Sequence, residues 1–129
     1  MRDYYEIEHY EEQKITDLLM FHKIVEVVGD TLVLDNGVEL EIVGNVGCGG
    51  CASGNYDVTE LNECDNVITN VEFVCEEEAD EDDKWCYSDK SYQIFVYAEN
   101  TRIKIVQVDG TDGNGYYGTG YSIRVRNKE

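Results

Sequence analysis

Ile24-Val25-Glu26-Val27-Val28, then Gly29-Asp30, Thr31-Leu32-Val33-Leu34, Asp35-Asn36-Gly37 and Val38-Glu39-Leu40-Glu41-Ile42 form one continuous stretch of the chain. Its last five residues alternate strictly between apolar and acidic, and β-branched residues dominate throughout. A period of two places alternate side chains on opposite faces of a strand. The two interruptions are turn material, and Asn36-Gly37 tolerates the positive φ that a tight hairpin requires. The stretch therefore predicts a three-stranded antiparallel meander with one face in the core and one in water.

Upstream, residues 3 to 22 place Ile7, Tyr10, Ile15, Leu18, Leu19 and His22 mostly three and four apart, which predicts an N-terminal helix. Thr16-Asp17 offers a second start for a shorter helix, since a hydroxyl cap followed by an acid suits a helix N-terminus. In that reading residues 1–14 are an acidic arm or a helix extension. Downstream, residues 44–66 are glycine-rich and read as irregular, with a helical turn at Val58–Leu61. Val67–Cys75, Tyr92–Ala98, Arg102–Val108 and Tyr121–Arg126 read as strands. The acidic run 76–83 reads as a mobile connection, because closely spaced like charges repel and stay hydrated. The expected fold is α+β, mostly β, with one N-terminal helix and a six- or seven-stranded antiparallel sheet or partly open barrel. The absence of proline agrees with a chain built of paired strands.

The whole chain has 129 residues, the size of a single domain over 1–129. It has no apolar run long enough for a membrane helix and no secretory leader pattern, so a cytoplasmic protein without membrane contact is expected. The formal charge is −18, which argues against nucleic acid as a partner. That charge is unevenly spread. Residues 1–83 carry 23 acids and three bases, whereas residues 84–129 carry five acids and seven bases.

Five cysteines, an odd number, argue against a disulfide framework. Cys48-Gly49-Gly50-Cys51 has a spacing that can grip zinc, and Cys64 and Cys75 could complete four ligands, but they do not form a second knuckle. Small buried apolar side chains around a glycine-rich turn are the favoured reading, and no cofactor is expected. There is no nucleophile elbow, metalloprotease motif or phosphate loop, so no enzyme activity is expected. Asp109–Gly115 fails as a calcium loop, because glycines stand where positions 5 and 12 need oxygen ligands. It reads instead as a long hairpin connection.

The suggestive set lies in the last third. Arg102 and Lys104 alternate with Ile103 and Ile105, and Arg124 and Arg126 alternate with Ile123 and Val125. On neighbouring strands all four cations would share one face. Asn114, Tyr116 and Tyr117 follow in the adjacent loop. Guanidinium forks beside rings and glycine-rich backbone are the parts that hold a nucleotide. Alternatively, the cations pair with Glu39 and Glu41 across a wet sheet face.

Asp17-Leu18-Leu19 leading into Lys23–Val27, the cysteine turn ending at Cys51, Val58–Leu61 with Val67–Glu72, and Asn114-Gly115-Tyr116-Tyr117-Gly118 resemble a family of small phage and prophage proteins of unknown function. The likeness runs over about residues 15 to 126, and the cysteine turn departs from it, since two glycines separate Cys48 from Cys51. The resemblance implies a phage origin and a compact β-rich fold. In size, and in having an anion-ready site without catalytic groups, the chain is similar in kind to anti-defence proteins that sequester cyclic nucleotide or cyclic ADP-ribose signals, such as those that counter Thoeris. The expected function is capture of a small anionic nucleotide-like ligand by Arg102, Lys104, Arg124, Arg126, Asn114, Tyr116 and Tyr117, in a homo-oligomer in the host cytoplasm. The alternative is an acidic DNA mimic or protein inhibitor of a host enzyme.

Overall fold

A computed structural model describes residues 4–45, 53–78, 89–113 and 120–126. Alternating apolar and polar residues organise most of it into strands. In chain order they are β1 (Tyr4–Glu8), β2 (Ile24–Val28), β3 (Thr31–Leu34), β4 (Glu39–Gly44), β5 (Ser53–Leu61), β6 (Asn70–Glu78), β7 (Asp89–Ala98), β8 (Thr101–Gly113) and β9 (Tyr121–Arg126), with one helix, α1 (Glu12–Leu19), after β1. They form two antiparallel sheets, a five-stranded one ordered β1-β9-β4-β3-β2 and a four-stranded one ordered β5-β8-β7-β6. Neither closes into a barrel among the described residues.

The meander forms as its pattern predicts. Gly37 takes φ 86° and Asn36 accepts the Val38 amide at 3.1 Å, closing the β3–β4 turn. Leu32, Leu34, Leu40 and Ile42 point inward and are buried. The β7–β8 hairpin turns on Glu99 and Asn100, both with positive φ, the backbone handedness that suits right-twisted strands.

Two expectations are corrected by period. The predicted long helix is a strand followed by a short helix, because Tyr5 and Ile7 alternate with Glu6 and Glu8, and Ile7 lies buried opposite Ile123 of β9. Glu8 and Glu11 close the intervening turn, and α1 then buries Ile15 and Leu19 one helical turn apart. Val58–Leu61 belongs to β5 rather than to a helical turn. Here Tyr56 is buried while Asn55, Asp57 and Thr59 are exposed, again a period of two. The acidic run also differs: Glu76–Glu78 continue β6 opposite Asp89–Ser91, and 79–83 lie outside the described residues. The supposed hairpin connection at Asp109–Gly113 is the end of β8, paired with both β5 and β7.

The sheets share one apolar core. Ile7, Leu40, Ile42, Ile123 and Val125 enter it from the five-stranded sheet, and Ile94, Val96, Ile105, Val106 and Val108 from the other. They join where the Tyr56 amide donates to the Asn45 carbonyl at 2.9 Å. Gly44 and Gly110 flank that point, and a Cβ on either would overlap backbone atoms of β5. Close backbone approach of this kind excludes every side chain. Replacing Gly110 with Ala should therefore destabilise the fold by about 1–3 kcal/mol, the range for forced overpacking in a rigid core, read as the loss in unfolding free energy by urea denaturation. Unaltered stability would show that the seam is loose.

Candidate functional site

The strand pattern places each of the four C-terminal cations on an outward face, yet on two different sheets. Arg102 and Lys104 lie on β8 of the four-stranded sheet, and Arg124 and Arg126 on β9 of the five-stranded one. The expected convergence on one patch does not occur. The alternation identified inward and outward residues, but it carried no information on which strands are neighbours.

Each cation instead meets carboxylates of its own chain. Nε and Nη2 of Arg102 lie 2.8 Å from Glu72 Oε1, and the guanidinium stacks over the Phe95 ring at 3.7 Å. The Tyr97 hydroxyl donates to the same oxygen at 3.1 Å. The Arg102 hydrogen bond, helped by that from Tyr97, holds the Glu72 carboxyl below its usual range. Lys104 Nζ donates to Gln107 and lies 3.5 Å from Glu60. On the other sheet, Arg124 stands between Glu6 at 3.7 Å and Glu41 at 3.8 Å, and Arg126 reaches Glu41 at 3.5 Å. The expected pairing with glutamates of the wet face thus occurs at Glu41, while Glu39 sits beside Arg126 in register. Glu6 was not anticipated as a partner, because a helical reading of residues 3 to 22 removes it from the sheet. The alternation of Tyr5-Glu6-Ile7-Glu8 was the signal that could have found it.

Where β4 passes β5, a polar groove of about 290 Å³ is lined by Asp30, Glu41 and Asp57, with Arg124 as its one cation among the described residues. Its charge is net negative. On the four-stranded sheet, Asp109 accepts from Thr59 Oγ1 at 2.7 Å and from Gln107 Nε2 at 2.9 Å. Burial pushes its carboxyl up, but the hydrogen bonds from Ser91, Thr59 and Gln107 outweigh burial and hold it below its usual value.

Asn114, Tyr116, Tyr117, Cys48, Cys51 and Cys86 lie outside the described residues. Cys64 is buried, and its Sγ lies 3.2 Å from the Asn66 carbonyl, whereas Cys75 is exposed on β6. No cluster of three histidine, cysteine or acidic side chains fit for a metal ion occurs among the described residues. No described helix is long and apolar enough to cross a membrane.

The model of a family described as a domain of unknown function, DUF7448, matches residues 17–123. The chain belongs to that family. The DUF7448 match takes in β2 to β8 whole and stops inside β9, leaving β1, Arg124 and Arg126 beyond it. No curated protein and no solved structure matches the chain.

The Asp109 cluster gives this DUF7448 chain a testable pH response. A carboxyl with a lowered folded pKa contributes stability that is present above its unfolded value, near 3.8, and lost as the pH falls through the folded value. Replacing Asp109 with Asn should lower stability at pH 7 by about 1 kcal/mol, a typical hydrogen-bond contribution. The gap from the parent chain should narrow below about pH 4, where the parent's own carboxyl protonates. Melting temperatures of both chains across pH 2.5–7 check this.

Proposed function

We propose that this protein acts by binding rather than by catalysis, and that it presents a carboxylate surface to the basic face of a partner protein. One observation carries the reading. All four cations of the net-positive C-terminal third that the capture reading relied on lie within 4 Å of the chain's own carboxylates, so they neutralise acids instead of forming an anion site. An excess of acid then remains for a partner to meet, and complementary charge steers such an encounter and favours one class of partner. The groove with Asp30, Glu41 and Asp57 is where that excess lies nearest the sheet junction. In the setting implied by the resemblance to small phage proteins, the partner is a DNA-binding enzyme of the host, and carboxylates stand in for phosphates.

The test is binding of the full chain to a lysine- and arginine-rich peptide by calorimetry. Affinity should fall as salt rises from 50 to 300 mM. Asp30→Lys with Asp57→Lys should weaken binding about tenfold more than the same charge change at the exposed Glu63 and Asp65, since a focused site loses more than a diffuse field. Equal effects would overturn a localised acidic site. A parallel thermal-shift panel of cyclic nucleotides and cyclic ADP-ribose isomers should leave the melting temperature unchanged. A shift that Arg124→Ala abolishes would restore the capture of a small anion.

A further inference from the structure

The core is aliphatic except at one end, where the two sheets meet in rings. His9, just after β1, is the hub. Its ring centroid lies 5.2 Å from that of Tyr92, 5.5 Å from Tyr10 and 5.6 Å from Tyr121, and Tyr92 lies 5.7 Å from Tyr121. The His9 amide donates to the Tyr121 carbonyl at 3.0 Å, and Gly120, with φ 71°, leaves room for the imidazole that a Cβ would take. Tyr10 stands at the rim, 72% exposed.

These rings, with Phe73 of β6, line a cavity of about 160 Å³ that opens to solvent. Its formally charged wall residue is Glu12, the first residue of α1, and no lysine or arginine lines it among the described residues. Burial, and after it the Glu12 charge, push the Tyr121 phenol well above its ordinary range, so the cavity keeps a neutral phenol under a negative field at neutral pH. An anion would be repelled here. A cation would meet aromatic rings, whose quadrupoles attract positive charge, and a carboxylate that completes the charge. At about 30 Å³ for each water-sized group, the open space holds roughly five such groups, the number of heavy atoms in an unmethylated lysine side chain beyond Cα, or in a trimethylammonium head with the Cε that carries it.

We propose that this cavity is a receptor for an alkylammonium group, and that its occupant is a lysine side chain, methylated or not, of the basic partner. The choice of source rests on the carboxylate-surface reading above; the cation chemistry rests on the cavity itself. His9, Tyr10 and Glu12 all precede the residues matched by the family model, so the receptor is completed by this chain's N-terminal segment.

The probe is N-acetyl-trimethyllysine methylamide, titrated into the full chain and followed by amide chemical shifts. Saturable shifts are expected at His9–Glu12 and Tyr121. The neutral isostere, with carbon in place of the quaternary nitrogen, should bind at least about tenfold more weakly, because a cation–π cage loses its electrostatic part without the charge. Glu12→Gln and Tyr10→Ala should each weaken the cation several-fold, and both side chains are exposed, so the fold should survive. Equal binding of the isostere, or no saturable shift at these residues, overturns the receptor. If the basic peptide still binds with its salt dependence while the lysine derivative is inert, the cavity fails alone. If the derivative binds but the peptide does not, the lysine source fails and the alkylammonium receptor stands.

Discussion

The insertion of β9 between β1 and β4 is the constraint on which the five-stranded sheet depends. It joins the first and last strands, more than a hundred residues apart in sequence, to the meander. Its inward residues Ile123 and Val125 complete a row with Ile7, Ile42 and Leu40, all buried. Because strand side chains alternate, the same register must set Arg124 and Arg126 on the outer face, against Glu6, Glu39 and Glu41. Core packing and charge pairing on this sheet are one decision. A slip by one residue would bury two guanidinium groups, an outcome far costlier than any loss of surface pairing.

That asymmetry also ranks the interactions. Exposed ion pairs such as those of Arg124 and Arg126 contribute about 0–1 kcal/mol each, whereas a buried isoleucine contributes about 2 kcal/mol. The arginines therefore do not hold the sheet together. They relieve a local crowding of acids on β1 and β4 in a chain whose net charge of −18 works against compactness. Their separations of 3.5 to 3.8 Å from the carboxylates are those of loose surface pairs. Arg102 differs, because a doubled contact with Glu72 and stacking over Phe95 fix its plane.

What was legible in the sequence follows from the range of the signal. The meander β2–β4 was readable because Asn36-Gly37 and the Val38–Ile42 alternation are local. β9 was readable for the same reason, as was the outward direction of its arginines. β1 was obscured because spacings of three and four also fit Ile7 to Leu19, and a short alternating stretch cannot outweigh them by count. β5 was obscured by Gly54, Asn55 and Asp57, residues that favour turns when read alone. The assignment of β8 and β9 to different sheets was not readable at all. It arises from non-local pairing, and on it depended whether the four cations would share a face. Asn114, Tyr116 and Tyr117 lie outside the described residues and leave that part of the reading as it stood.

The aromatic corner shows how the same limitation hides a cavity. His9, Tyr92 and Tyr121 are far apart in the chain; His9 falls in the stretch that reads as a helix or an acidic arm, and Tyr92 and Tyr121 each read as ordinary strand residues. Only the β1–β9 pairing, fixed by the Ile7 to Ile123 register, brings His9 beside Tyr121, and only the shared core brings Tyr92 beneath both. Gly120 then permits the approach by having no side chain to oppose the imidazole. The N-terminal segment thus does two things at once: Glu6 takes up Arg124, while His9, Tyr10 and Glu12 close a ring-lined space in which positive charge is favoured. A segment that both pairs with the chain's own Arg124 and lines this cavity is the feature on which the proposed reading, a surface for basic partners rather than for anions, rests.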